Sequence, residues 1–108
     1  MALEVRHEVL NRGSVVVNAK TRRVIHANRA FCKHVGRSLK ELRSKPFTEF
    51  LHPNYRGDTE KKAEAMETRD EVATSYKNAW IRPNGTEAGL MWDAVIFDGY
   101  YTCDVTLL

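Results

Sequence analysis

Four histidines, two cysteines, a spaced pair of aspartates and several aromatic side chains are the groups of this 108-residue chain that could do chemistry. Cys32 and Cys103 are far apart and belong to no Cys/His cluster with metal-type spacing. Both fall on apolar positions, which predicts buried structural thiols, with a redox pair as the sharper alternative. His26 belongs in or near a strand. His34 sits near a helix end, where an imidazolium suits the dipole. His52, just before Pro53, reads as a helix-terminating residue whose ring bonds the backbone. None has a second ligand nearby, so no metal site is expected. Asp93 and Asp104 have the look of a carboxylate pair for acid–base work, but strand periodicity places them on the wetter face of a sheet, or Asp104 in a terminal ion pair. There is no G-x-S-x-G, P-loop or H-E-x-x-H motif. No catalytic residue is assigned, and the expectation is a protein that is not an enzyme.

Composition narrows the partners. The length suits one domain and is too short for two. With 43% hydrophobic and 29% charged residues, the chain reads as soluble and globular. No apolar run approaches the ~20 residues of a membrane helix. The opening residues MALEVRHEVL carry charges among apolar side chains, unlike a signal peptide. Two scattered cysteines fit a reducing, cytoplasmic setting. The net charge is +3, but Arg22-Arg23 and Lys61-Lys62 are the only basic doublets of note. Glu60, Glu64 and Glu67 dilute the second, so the clustered basic face that nucleic acid requires is not expected.

The elements that must position these groups follow from spacing. Val15-Val16-Val17 and Val24-Ile25-His26, broken by Ala19–Arg22, read as a first hairpin. Asn28 caps a short helix through Phe31, Cys32 and Val35 that Gly36 ends. Ser38 and Glu41 have capping-box spacing for a second one-turn helix. Phe47, Phe50 and Leu51 form a third small apolar face. After Asn54 a longer helix runs to about residue 69, with a thin stripe of Tyr55, Thr59, Ala63 and Met66. From Val72 the period becomes two. Strands at 72–82, 86–97 and 100–107 are separated by Pro83-Asn84-Gly85 and by Asp98-Gly99, a type I′ hairpin signal. The fold class is α+β: one five-stranded antiparallel sheet with short helices on one face.

Register can be predicted by the cost of error. A two-residue loop at 98–99 pairs Ile96 with Tyr101, Ala94 with Cys103, Trp92 with Val105 and Leu90 with Leu107 on one face. The other face pairs Val95 with Thr102, Asp93 with Asp104 and Met91 with Thr106. An Asp–Asp pair is too costly to bury, so the first face is the inner one. A three-residue loop at 83–85 adds the pairs Trp80–Ala88, Asn78–Leu90 and Tyr76–Trp92 to it, whereas a one-residue slip would put Lys77 inside. Asn78 is then a polar intruder in an aromatic face. Its amide needs partners, from a helix backbone group or from a ligand or trapped water.

Five segments, in order, resemble those of one known family. They are His26-Ala27-Asn28-Arg29-Ala30-Phe31 at a strand-to-helix junction; Val35-Gly36-Arg37-Ser38 with Glu41-Leu42; Phe50-Leu51-His52-Pro53 with Arg56; Trp80-Ile81-Arg82-Pro83-Asn84-Gly85; and Asp104-Val105-Thr106. Together they span 13–106 and resemble the PAS domain. The resemblance implies a sensory or protein-interaction module that binds a small molecule between sheet and helices, or binds nothing and only dimerises, and signals to an output domain or partner protein. Flavin-adduct photochemistry is disfavoured, because His52-Pro53-Asn54-Tyr55-Arg56 lacks the family's reactive cysteine. Haem is disfavoured too, because the long helix has no histidine for an axial ligand. The cofactor stays unknown.

A ligand would contact Phe31, Phe50, Met66, Asn78, Trp80 and Trp92. The expected division is an N-terminal helical segment at 1–12 and the PAS domain at 13–108. Read as a helix, residues 2–10 place Leu3, Val5 and Val9 to cover the sheet's outer face, where Met91, Val95, Phe97 and Tyr100 form an apolar patch. That cover, in its own chain or across a homodimer, is the expected dimer interface. The family's usual linker to an output module would follow residue 106, so the expectation is a free-standing module or part of a larger sensor.

Overall fold

A computed structural model describes residues 12–108. The predicted N-terminal helix, with Leu3, Val5 and Val9, lies outside the described residues. Strands β1 (Gly13–Asn18) and β2 (Val24–Ala27) come first. Helices α1 (Arg29–Val35) and α2 (Leu39–Arg43), a 3-10 turn at Phe47–Glu49 and helix α3 (Pro53–Arg69) follow. Strands β3 (Ala73–Ile81), β4 (Glu87–Phe97) and β5 (Tyr100–Leu107) complete the order. The sheet is antiparallel, with strands ordered β2-β1-β5-β4-β3. Helix α1 packs on β1, α2 on β2 and α3 on β3 and β4, enclosing the core on the sheet's inner face.

The last two hairpins adopt the predicted register, from Phe97–Tyr100 to Leu90–Leu107 and from Tyr76–Trp92 to Ile81–Glu87. Asp98 and Gly99 both have positive φ, 52° and 82°, as a type I′ turn requires. Beyond Tyr76, strand β3 departs from regularity. Ala73 pairs with Ala94, one residue out of step, and Ser75 takes a φ of 51°. The Ser75 N–H donates to Asp93 Oδ1 at 2.9 Å. The carboxylate of Asp93 therefore supports a β-bulge, which accounts for an aspartate on that face.

The helix caps follow the sequence signals, with one exception. Ser38 and Glu41 form a reciprocal capping box. Gly36 ends α1 in the left-handed conformation. The exception is α3, for which no cap was expected: the His52 Nδ1 accepts from the Asn54 N–H at 3.1 Å, and Pro53 takes the first helical position, where its missing N–H costs nothing. Tyr55, assigned to the buried stripe, is 37% exposed and packs edge-on to His52. The apolar face at Phe47–Leu51 forms a 3-10 turn and then a bridge from Leu51 to Trp80. Around that bridge the His52 N–H donates to the Ala79 carbonyl and the Ile81 N–H to the Phe50 carbonyl, each at 2.8 Å. On the opposite edge, the Arg43 guanidinium donates to the Ile25 carbonyl of β2 at 2.6 and 2.9 Å.

Asn28 does more than cap α1. Its Oδ1 accepts from the N–H groups of Phe31 at 2.9 Å and Ser14 at 3.0 Å, and its Nδ2 donates to the Arg12 carbonyl at 2.9 Å. One side chain thus joins the helix start to β1. Asn28→Ala is expected to lose about 1–2 kcal/mol, the upper range for a cap. Asn28→Asp keeps the acceptor and should recover part of it. Urea unfolding of the three proteins measures both, and equal midpoints for wild type and Asn28→Ala would contradict this account.

Candidate functional site

The thin stripe of α3 shapes the site. Thr59, Ala63 and Met66 are its buried residues, and two of them are short. Where they meet the inner sheet face a pocket of about 60 Å³ remains. Asn78 and Trp92 line its floor, with Tyr101 and Cys103 beside them, and Phe47 and Lys62 stand at its sides. The accessible wall is apolar. That space exceeds the ~30 Å³ share of one water molecule, and is well below the roughly 300–1,000 Å³ of a pocket for a drug-sized ligand.

Of the six residues predicted to contact a ligand, Met66, Asn78 and Trp92 line this pocket. Phe31, Phe50 and Trp80 sit beside it in an aromatic cluster and do not line it. Trp80 is 1% exposed. Phe31 meets it edge-on at 5.3 Å between ring centroids, Phe50 stacks at 5.6 Å, Trp92 at 6.0 Å and Phe47 at 6.3 Å. The Trp80 Nε1–H has no hydrogen-bond acceptor among the described residues. Rings of this size fill the volume between β3 and the 3-10 turn, so the remaining space lies toward β5, under α3.

A polar chain crosses the floor. Trp92 Nε1 donates to Asn78 Oδ1 at 2.7 Å, and Asn78 Nδ2 donates to Thr59 Oγ1 at 3.3 Å. Thr59 Oγ1 lies 3.1 Å from the Tyr76 hydroxyl. An indole nitrogen can only donate, so it fixes which end of the Asn78 amide faces Trp92. Asn78 thus finds its partners in side chains, on β4 and α3, and not in a helix backbone group. Burial pushes the Tyr76 phenol above its ordinary value.

A second, charged cluster stands along the flank of α3. Arg22 lies in the β1–β2 turn. Its Nε and Nη2 donate to Glu60 Oε1 at 2.9 and 2.7 Å, and the two hydrogens of its Nη1 are shared among the Tyr101 hydroxyl at 3.0 Å, Glu67 and the Ala19 carbonyl. The Tyr101 hydroxyl lies 2.8 Å from the Ala63 carbonyl and 2.6 Å from Glu67 Oε1, with one proton to share between them. Burial alone would lower the Arg22 pKa, but the hydrogen bonds to Glu60 and Glu67 outweigh it and raise it. Hydrogen bonds from Tyr101 and then Arg22 hold Glu67 below the usual carboxylate range. Burial, then Glu67, push the Tyr101 phenol upward. Sequence reasoning missed this cluster. The inward-facing Tyr101 was its signal, because a buried phenol needs a polar partner.

The remaining candidates are dispersed. Cys103 is buried at the pocket, its thiol pushed up to about 12 by burial and then by Asp104, while Cys32 is half-buried on α1; both are free. His52 Nε2 lies 3.1 Å from Glu87 Oε1. On the outer face Val95 is 49%, Phe97 80% and Tyr100 40% exposed, and Met91 is half-buried. Among the described residues no group of three or more His, Cys, Asp or Glu is placed to hold a metal, and no helix is long and apolar enough to cross a membrane.

Comparison with known proteins agrees with this architecture. Residues 4–103 match a family model described as the PAS fold. No curated protein sequence matches. Among solved structures, the PAS domain of the Cronobacter turicensis RpfR quorum-sensing receptor, in complex with BDSF, is similar with a TM-score of 0.77 at 11% identity, over 91% of this chain and 94% of that one. The PAS domain of the fruit-fly ELK potassium channel is similar with a TM-score of 0.72 at 13% identity, over 99% and 94%. A PAS domain of an HTR-like protein from Haloarcula marismortui gives 0.72 at 15% identity, over 99% and 95%. At such identities the likeness is one of fold.

Proposed function

The chain belongs to the PAS-fold family, and from that premise we propose that it is a sensory module that takes a small, mostly apolar molecule into the pocket under α3 and transmits occupancy to an output domain or partner protein. The observation that carries this is the pocket's make-up: apolar walls around a buried amide. Asn78 uses one donor and one acceptor on Thr59 and Trp92, and an amide has capacity for more. A hydrogen-bond acceptor on an apolar ligand suits that floor. The RpfR PAS domain, similar in fold, has been solved in complex with BDSF and with C12:0. A chain of that length would need α3 to move outward here, because about 60 Å³ holds only a few non-hydrogen atoms. With no cysteine at the start of α3, flavin-adduct photochemistry is not part of this proposal, and neither is catalysis.

A specific observation favours a second reading, homodimerisation through the outer sheet face. Phe97, 80% exposed beside Val95 and Tyr100, is a large apolar side chain left in water. A cytoplasmic location belongs to the same proposal. Native mass spectrometry of the chain purified without added ligand tests both readings at once. The expected result is a dimer whose protomers carry a small-molecule mass. A bare protomer mass would overturn ligand binding. A monomer at tens of micromolar would overturn dimerisation, and a dimer unchanged by Phe97→Glu would overturn the outer face as its interface.

A further inference from the structure

Helix α3 is 17 residues long, yet its buried residues are Thr59, Ala63 and Met66. A surface helix of that length ordinarily keeps a broad apolar stripe against its core. What holds α3 down is largely polar. Near its start, Thr59 bonds Asn78 and Tyr76 of β3. On the other flank, Glu60, next to Thr59 in sequence, and Glu67, about two turns beyond it, both bond Arg22, while Tyr101 of β5 reaches Glu67 and the Ala63 carbonyl. The pocket lies between these two sets of ties, walled on the α3 side by Ala63 and Met66.

We infer that α3 is a lid over the pocket and that Arg22 is its latch, a positioning residue that fastens the lid to the sheet from the tip of the β1–β2 hairpin. Three features mark it as a latch rather than a surface ion pair. Its guanidinium side chain is only 15% exposed, although Glu60 and Glu67 are 46% and 34% exposed, so the cation is held against the protein while water still reaches its partners. Its backbone is held in the left-handed region at φ 61°, with its carbonyl accepting from the Phe47 N–H at 2.8 Å, so the side chain is aimed by a fixed turn. Its donors spread over both glutamates and Tyr101, which needs the planar fork of arginine. The Tyr101 hydroxyl has a carbonyl and a carboxylate within reach for a single proton. When the lid lifts, Glu67 leaves and the Ala63 carbonyl leaves with it, so the whole flank releases together. The inference uses the pocket proposed above for a ligand but requires no ligand, so its test can fail or succeed independently of that proposal.

Cys103 supplies the readout. It is 4% exposed and faces the pocket that α3 covers. In a Cys32→Ser background it is the single thiol, and its alkylation by iodoacetamide in native buffer measures lid opening. Arg22→Met is expected to raise that rate roughly 10- to 100-fold, the equilibrium shift that loss of charge-assisted bonds brings. Glu67→Gln should raise it less, and Arg22→Lys should fall between wild type and Arg22→Met. The exposed Arg29 on α1 is the control, and Arg29→Met should leave the rate unchanged. The urea dependence separates a latch from general weakening. Lid opening exposes little surface and has a shallow slope, whereas access through global unfolding carries the full equilibrium m-value. An unchanged rate in Arg22→Met, or a rate that carries the full m-value, would overturn the inference.

Discussion

Trp80→Ala is expected to remove roughly 3–5 kcal/mol of unfolding free energy, the largest loss of any single side chain discussed here. The indole is 1% exposed and touches Phe31, Phe47, Phe50 and Trp92 at ring-centroid distances of 5.3 to 6.3 Å. Those rings come from α1, the 3-10 turn and β4, so no one element can collapse into the space alone. The cavity term therefore adds to the lost transfer energy. A domain with only about 5–15 kcal/mol to lose should then be partly unfolded near 37 °C. Urea titration followed by far-UV circular dichroism gives the number. Trp80→Phe should lose well under half as much. It keeps a stacked ring and removes an Nε1–H that has no acceptor among the described residues. A Trp80→Phe protein as weak as Trp80→Ala would show that the cluster is not what holds this end of the sheet.

Asn78→Leu is the second large effect. Leucine keeps asparagine's branching but its methyls are bulkier than the amide's oxygen and nitrogen, so the loss combines two broken hydrogen bonds with a packing cost. Trp92 Nε1–H loses its partner at 2.7 Å, while Thr59 Oγ1 loses Asn78 at 3.3 Å and keeps the Tyr76 hydroxyl at 3.1 Å. Trp92 is 8% exposed, and leaving its donor unpaired costs about 1–3 kcal/mol. The double variant Asn78→Leu/Trp92→Phe should regain part of that, because removing both members of a buried pair leaves no orphan. The same substitution bears on function: any small-molecule mass seen on the wild-type protein should be lost or weakened, since the pocket would keep its apolar wall without its amide. An unchanged midpoint in Asn78→Leu would refute the polar-chain account.

Much of this could be read before any coordinates, and the residues show why. The β3–β4–β5 register followed from two short loops and from the penalty for burying Lys77 or an Asp–Asp pair. Those are local constraints multiplied along whole strands. The caps made by Asn28, Gly36 and Ser38 act within four residues of themselves, and they also were legible, whereas the reach of Asn28 to Ser14 and Arg12 was not. Arg22 was not. Its partners lie 38, 45 and 79 positions away, and in sequence it is half of a basic doublet. The pocket was half legible. Periodicity puts Phe31, Phe50, Met66, Asn78, Trp80 and Trp92 inside, but which of them border open space depends on how the rings of three elements fill volume. The bulge at Ser75 escaped because nothing in Ala73–Tyr76 announces a positive φ; the Asp93 that supports it is on another strand.

The strand rims have a bearing on assembly. A sheet with bare outer strands can recruit a neighbour's backbone and grow without limit. Here one rim is stopped by the Arg43 guanidinium seated on the Ile25 carbonyl. The other is occupied by the Phe50–His52 segment along Ala79–Ile81, and below that it is kinked at Ser75 and carries Lys77. Both rims thus carry features that blunt strand addition. The homodimer proposed above uses the broad outer face instead, where a two-fold contact would close on itself, and an assembly that stops at two copies is one a cell can use as a signal.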